Sequence, residues 1–123
     1  MSLAPTPGRP VVLLIDDSEI ALRVGKLLLE GEGYDVITAS SGEAGLECFS
    51  QRAVDLVVTD HLLGELDGLE VVRRMKRERP QVPILVNSGD SELREAAMIA
   101  DEFLAKGAGT EEFLTTIRRL ISK

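Results

Sequence analysis

Val11-Val12-Leu13-Leu14-Ile15-Asp16-Asp17-Ser18-Glu19 is the stretch that decides the fold: an apolar run broken off by two adjacent acids. Bounded so sharply, Val11-Ile15 reads as a short buried strand. Working outward, three more apolar runs end on a chemically capable side chain. Leu56-Thr59 ends on Asp60, Ile84-Asn87 on Ser88, and Phe103-Ala105 on Lys106. Open α/β sheets gather their ligand sites at the carboxyl ends of the strands. Four parallel strands here would therefore bring three carboxylates, a hydroxyl and an ammonium to one edge.

Between these runs the pattern turns helical, and the alternation predicts a parallel sheet with helices on both faces. Ile20, Val24, Leu27 and Leu28 mark the apolar face of a helix from about Ser18 to Glu30, ended by Gly31 and Gly33. A second strand spans about Tyr34-Thr38. Ser40 and Glu43 have capping-box spacing for a helix to about Arg52 that turns Leu46, Phe49 and Ala53 inward. The third strand is about Asp55-Thr59. Asp67 and Glu70 make a cap-like pair before a helix with Leu69, Val72 and Met75 on one face, stopped at Arg79-Pro80. A fourth strand at about Val82-Asn87 precedes a short helix carrying Leu93, Ala96, Ala97 and Ala100. Glu102-Ala105 is the fifth strand. Thr110 caps a last helix with Phe113, Ile117, Leu120 and Ile121 buried.

At 123 residues the chain suits one domain, and with no tryptophan, one tyrosine and three phenylalanines its core must be aliphatic. A net charge of -7 repels nucleic acid and anionic lipid, so neither is an expected direct partner. Cys48 is the single cysteine, read as a small apolar helix residue; the lack of an intrachain disulfide suits a cytoplasmic location. Residues 1–10, with Pro5, Pro7, Gly8 and Pro10 and without the features of a signal peptide, read as a flexible lead.

Three ionised aspartates need compensation, because like charges about 4 Å apart repel by roughly 4 kcal/mol at an effective dielectric near 20. Mg²⁺ suits the set, since it prefers carboxylate oxygen and phosphate partners. Lys106 adds a second positive charge. A carboxylate can also accept a phosphoryl group, and Asp60, central in such a sheet, is the candidate nucleophile. Taken singly, Asp16 and Asp17 could cap a helix, Asp60 and Ser88 could serve turns, and Lys106 could be a solvated charge. Their repetition in successive strand-helix units argues otherwise.

The runs VVLLIDDSE, LVVTDHLLGELDGLEVV, PILVNSGD and FLAK, in that order, resemble the receiver domain of two-component response regulators, chemotaxis regulators included, from about Val11 to Ser122. The resemblance implies a flavodoxin-like, doubly wound α/β fold over residues 11–122: a five-stranded parallel sheet of order 2-1-3-4-5 with five helices. It implies that Asp17 and Asp16 bind Mg²⁺ together with Asp60 and the backbone carbonyl of Leu62. Asp60 would accept the phosphoryl group from a sensor histidine kinase or a histidine phosphotransfer protein. Lys106 would pair with a phosphoryl oxygen, while Ser88 and Phe103 would move as the switch. It further implies a possible homodimer through the fourth helix, fifth strand and fifth helix.

Some positions depart from the family pattern. Gly107 follows Lys106 where proline is usual, so a trans, looser loop is expected. Gly64 stands where that family often has proline, and the short Ser88–Lys106 interval predicts a fourth helix about one turn shorter than the family's. His61 reads as a bystander beside the nucleophile. The resemblance implies that Leu62 and Asp90 occupy positions that influence phosphoryl lifetime in that family. Arg73, Arg74, Lys76, Arg77 and Arg79 concentrate positive charge on the third helix. Competing readings are a degenerate, unphosphorylated receiver acting as an interaction module, and an aspartyl-nucleophile phosphatase of the haloacid dehalogenase type. A flavodoxin-like nucleotide binder is weaker, because no glycine-rich loop follows the first strand.

Overall fold

The computed structural model describes residues 8–60, 62–63, 66–89 and 99–122. In chain order these form β1 (Val11–Ile15), α1 (Glu19–Gly31), β2 (Asp35–Ala39), α2 (Gly42–Gln51), β3 (Leu56–Thr59), β4 (Leu62–Leu63), β5 (Leu66–Asp67), α3 (Gly68–Glu78), β6 (Ile84–Ser88), β7 (Glu102–Ala105), a 3-10 turn at Lys106–Ala108, and α4 (Thr110–Ile121). The main sheet is parallel and ordered β2-β1-β3-β6-β7, which is 2-1-3-4-5 once the separate antiparallel pair β4-β5 is set aside. Four α-helices are seen among the described residues, not five; Leu93, Ala96 and Ala97 of the remaining expected helix lie outside them.

Alternation along β1 feeds two cores. Leu13 and Ile15 join Phe49, Val71, Val72 and Met75 beneath α2 and α3. Val12 and Leu14 join Leu29, Ile117 and Leu120 beneath α1 and α4. Successive strand residues point to opposite faces, so a strand covered on both sides must be apolar throughout. Two glycines set the depth of the cover. A Cβ on Gly25 would lie 2.6 Å from Leu14 Cδ2, and one on Gly45 would lie 2.5 Å from Ile15 Cδ1.

This close approach corrects the reading of α1. The helix meets the sheet through Gly25 and Leu29, with Leu22 and Leu28 half-buried; Ile20, Val24 and Leu27 are 76%, 52% and 72% exposed. Apolar residues satisfy two overlapping helical stripes here. The glycine stripe wins because only a missing side chain allows contact at that spacing.

Smaller corrections concern caps. Ser41, not Ser40, caps α2, its Oγ accepting from the Ala44 N–H at 3.1 Å, and Ala53 is exposed beyond the helix end. Gly109 at φ 98° precedes α4, so Thr110 is its first residue and not its cap. Ser18 caps α1 as expected. No peptide bond among the described residues is cis, so the Lys106–Gly107 bond is trans.

Acids also finish the amino edge of the sheet. Asp55 Oδ2 accepts from the Val11 N–H at 2.7 Å, and Asp101 Oδ2 accepts from the Ile84 N–H at 2.8 Å while pairing with Lys76 at 2.5 Å. Such bonds satisfy backbone donors that open each strand.

Candidate functional site

At the carboxyl edge, strand pairing places the acids. The Asp16 N–H donates to Ala39 O at 3.1 Å, extending the β1-β2 ladder by one bond, and the Asp60 N–H donates to Ile15 O at 3.0 Å, extending β3 against β1. Both carboxylates therefore leave the sheet at the same level. Asp17 follows, exposed, on the turn into α1. One oxygen from each of Asp16, Asp17 and Asp60 falls within 4.8 Å of the others.

Lys106 enters from β7. Its Nζ donates to Asp16 Oδ2 at 2.6 Å and to Asp60 Oδ2 at 3.2 Å. Asp16, only 5% exposed, has its other oxygen engaged too: Oδ1 accepts from the Ser18 N–H at 2.9 Å. The order of these contacts was not readable from sequence, which suggested Lys106 as a partner for a phosphoryl group without showing its close contact with Asp16. The Thr59 hydroxyl donates to Asp60 O at 3.0 Å from a buried position, a local anchor that strand periodicity does not signal.

Ser88 ends β6, buried, in register with Ala105 just before Lys106. Phe103 sits opposite Val86, half-buried against the α2/α3 core. The backbone of Leu62 lies in β4, two residues beyond Asp60. His61, Gly64 and Asp90 lie outside the described residues. Asp16, Asp17, Asp60 and Lys106 thus converge directly, and Ser88 shares their edge.

Three carboxylates against one ammonium leave an excess of negative charge, and every donor is a hard oxygen. This set fits a magnesium-class cation better than a soft metal, which would favour thiolate or imidazole. Burial lowers the pKa of Lys106, but the hydrogen bond to Asp16 and the attraction of Asp60 outweigh it and hold the group above the ordinary lysine value. A raised lysine pKa stabilises the fold fully below the unfolded value, roughly 10.4, and loses that contribution as pH climbs through the folded value. Urea unfolding of Lys106→Met beside the parent chain should show a stability gap at neutral pH that narrows in the alkaline range. A gap constant with pH would contradict this account.

A cleft of about 440 Å³ lies at the opposite edge beside Asp55 and Asp101, whose carboxylates already hold strand N–H groups. Nearer the acids is a groove of about 250 Å³ between α1 and α4, walled by Leu14, Val24, Leu28, Leu104 and Phe113 and bordered by Lys106.

The family profile of the response regulator receiver domain matches residues 12–118. The alkaline phosphatase synthesis transcriptional regulatory protein PhoP of Bacillus subtilis (strain 168) is 31% identical over 116 residues, covering 91% of this chain and 48% of that protein. The chain spans about half the length, or less, of the curated relatives it matches. The crystal structure of a response regulator receiver domain protein from Clostridium thermocellum superposes with a TM-score of 0.85 at 30% identity, covering 92% of this chain and 94% of that one. The response regulator protein TrrA of Thermotoga maritima, solved in complex with Mg(2+)-BeF, gives 0.86 at 27% identity, covering 90% and 98%.

Proposed function

This chain belongs to the response regulator receiver domain family, and from that premise we propose that it is a phosphoacceptor switch charged at Asp60 by a phosphohistidine. The donor would be a sensor histidine kinase or a histidine phosphotransfer protein, acting in the cytoplasm. The observation that supports this reading best is the meeting of Asp16, Asp17, Asp60 and Lys106 at one sheet edge. A degenerate interaction module requires no such meeting, and a phosphatase of the haloacid dehalogenase type places its nucleophile after the first strand in an Asp-x-Asp arrangement, where this chain has the adjacent pair Asp16-Asp17.

An Asp60 carboxylate oxygen attacks the phosphorus in line. An O–P bond forms, the N–P bond to the imidazole breaks, and the freed ring nitrogen keeps the electron pair. Mg²⁺, held by Asp16, Asp17, Asp60 and the Leu62 carbonyl, would neutralise charge on the phosphoryl oxygens. Lys106, already within reach of Asp60, turns from the carboxylates to a phosphoryl oxygen. The Ser88 hydroxyl donates to another, and Phe103 turns inward behind it. Attack by water on phosphorus then breaks the Asp60 O–P bond, releases inorganic phosphate and returns Asp60 to its carboxylate, so the chain catalyses its own charging and discharging. The phosphoryl group carries about -1.5 to -2 charge in place of the single negative charge of the Asp60 carboxylate, and it projects that charge beyond the acids, which biases the loops after β6 and β7. Pairing of two copies across β7 and α4 is a further element of this reading.

Isotope-labelled protein given Mg²⁺ and beryllofluoride should show amide shifts at Asp17, Asp60, Ser88 and Lys106 that a chelator reverses. A wild-type spectrum indifferent to the pair of reagents would count decisively against the proposal.

The exposed Ile20, Val24 and Leu27 supply the approach for the phosphoryl donor. They run along α1 directly from Asp17, and Val24 also walls the groove bordered by Lys106. A partner helix laid on this stripe would bring its histidine to the acids. Replacing Ile20 and Leu27 by serine should cut transfer from the kinase about tenfold or more, equivalent to about 1.4 kcal/mol of lost docking. Labelling by acetyl phosphate, which needs no docking, should stay unchanged. Equal loss in both assays would assign the stripe to the fold instead.

A further inference from the structure

We infer that the exposed face of α3 docks a short acidic segment of a partner protein. The four basic residues of this helix, and Arg79 just past its end, do not all serve one purpose. Lys76 folds back onto Val82 O at 2.9 Å and Asp101, and Arg79 holds Arg52 O at 3.1 Å with its guanidinium 4.0 Å above the Phe49 ring. Those two fasten the helix end to the domain. Arg73, Arg74 and Arg77 are left on the solvent side, opposite the buried Leu69, Val71, Val72 and Met75.

These three arginines share Glu70. Arg74 Nε lies 3.2 Å and Arg77 Nη2 3.5 Å from Glu70 Oε1, with Arg73 Nη1 3.8 Å from Oε2. One carboxylate offsets one charge, so an excess of two positive charges stands on a chain whose net charge is -7. By contrast, Arg118 and Arg119 on α4 face carboxylates of their own, Glu32 and Glu102. The helix dipole accounts for Arg77 in the last turn but not for Arg73 and Arg74. Like charges three and four residues apart weaken a helix, and Glu70 restrains that repulsion while holding the guanidiniums in a common cluster. Guanidiniums ordered in this way suit carboxylates, which they bind through paired N–H donors.

The surroundings select the occupant. Glu43 and Glu47 are exposed on α2, the helix packed beside α3, and Glu78 closes the α3 end, bonded to Ser50. A long polyanion or an anionic bilayer would have to cover these acids as well. A short run of aspartate or glutamate lying along α3 meets the arginines alone, within the ~10 Å over which their charge acts.

The test uses an oligoglutamate peptide titrated into the isotope-labelled chain, with an oligonucleotide and phosphatidylglycerol vesicles as parallel arms. Amide shifts should concentrate on residues 70–78 and weaken roughly tenfold as salt rises from about 50 to about 200 mM. They should vanish when Arg73, Arg74 and Arg77 are all changed to glutamine, and persist in Arg118→Gln with Arg119→Gln. Binding that survives the triple change, shifts centred elsewhere, or tighter binding of the oligonucleotide or vesicles would overturn the proposal. Since the readout needs neither Mg²⁺ nor phosphorylation, its outcome is independent of the reading of Asp60.

Discussion

Asp60→Asn should abolish the mass increase that acetyl phosphate and Mg²⁺ produce in the parent chain, a loss bounded only by the detection limit. An amide has nearly the shape of the carboxylate but offers no anionic oxygen to attack phosphorus. The fold should persist, because the residue is anchored through its backbone: its N–H donates to Ile15 O at 3.0 Å, and the Thr59 hydroxyl donates to its carbonyl. Stability should change by no more than about 1 kcal/mol, as expected for a partly exposed ion pair. The direction should be upward, since one of three clustered carboxylates loses its charge while Lys106 keeps Asp16. Undiminished labelling of Asp60→Asn would place the acceptor elsewhere and remove the central element of the proposed mechanism.

Phe49→Ala should be the most damaging change to the fold, costing about 3–5 kcal/mol. The ring is fully buried in the core beneath α2 and α3, among aliphatic neighbours that cannot collapse far into the space it leaves. It is also the platform for Arg79, whose guanidinium stands 4.0 Å from the ring centre while binding Arg52 O. Truncation therefore opens a cavity and removes a cation-π contact together. A small domain with a total stability of about 5–15 kcal/mol would lose a large part of it. The measurement is chemical unfolding followed by far-ultraviolet circular dichroism. Phe49→Leu, which retains most of the volume, should recover much of the loss; equal damage from both changes would point away from cavity formation.

The sheet and the acid site were legible in sequence for a common reason. Val11–Ile15 and Leu56–Thr59 are buried throughout, so apolar runs mark them and the acid after each run marks the edge; the shorter run Phe103–Ala105 on the edge strand β7 marks Lys106 in the same way. Asp16, Asp60 and Lys106 were found by that signal. The packed side of α1 was not, because Gly25 contributes contact by having no side chain and therefore carries no hydrophobic signal. The α2 cap moved from Ser40 to Ser41 since adjacent serines offer the same chemistry and backbone geometry chooses between them. The β4-β5 pair has two residues per strand, too few for a period to emerge. The 2.6 Å contact of Lys106 with Asp16 joins residues 90 positions apart and depends on how far β7 lies from β1 across the sheet, a distance that strand patterns do not carry.

The two glycines against β1 have a mechanical consequence. Leu14 and Ile15, gripped from opposite sides by Gly25 and Gly45, immediately precede Asp16. The strand that delivers the most deeply set acid is thus pinched between two bare α-carbons, leaving it little room to slide or tip. The precision of a charged pocket at the rim is set one step upstream, by hydrogen atoms where any other amino acid would interpose at least a β-carbon.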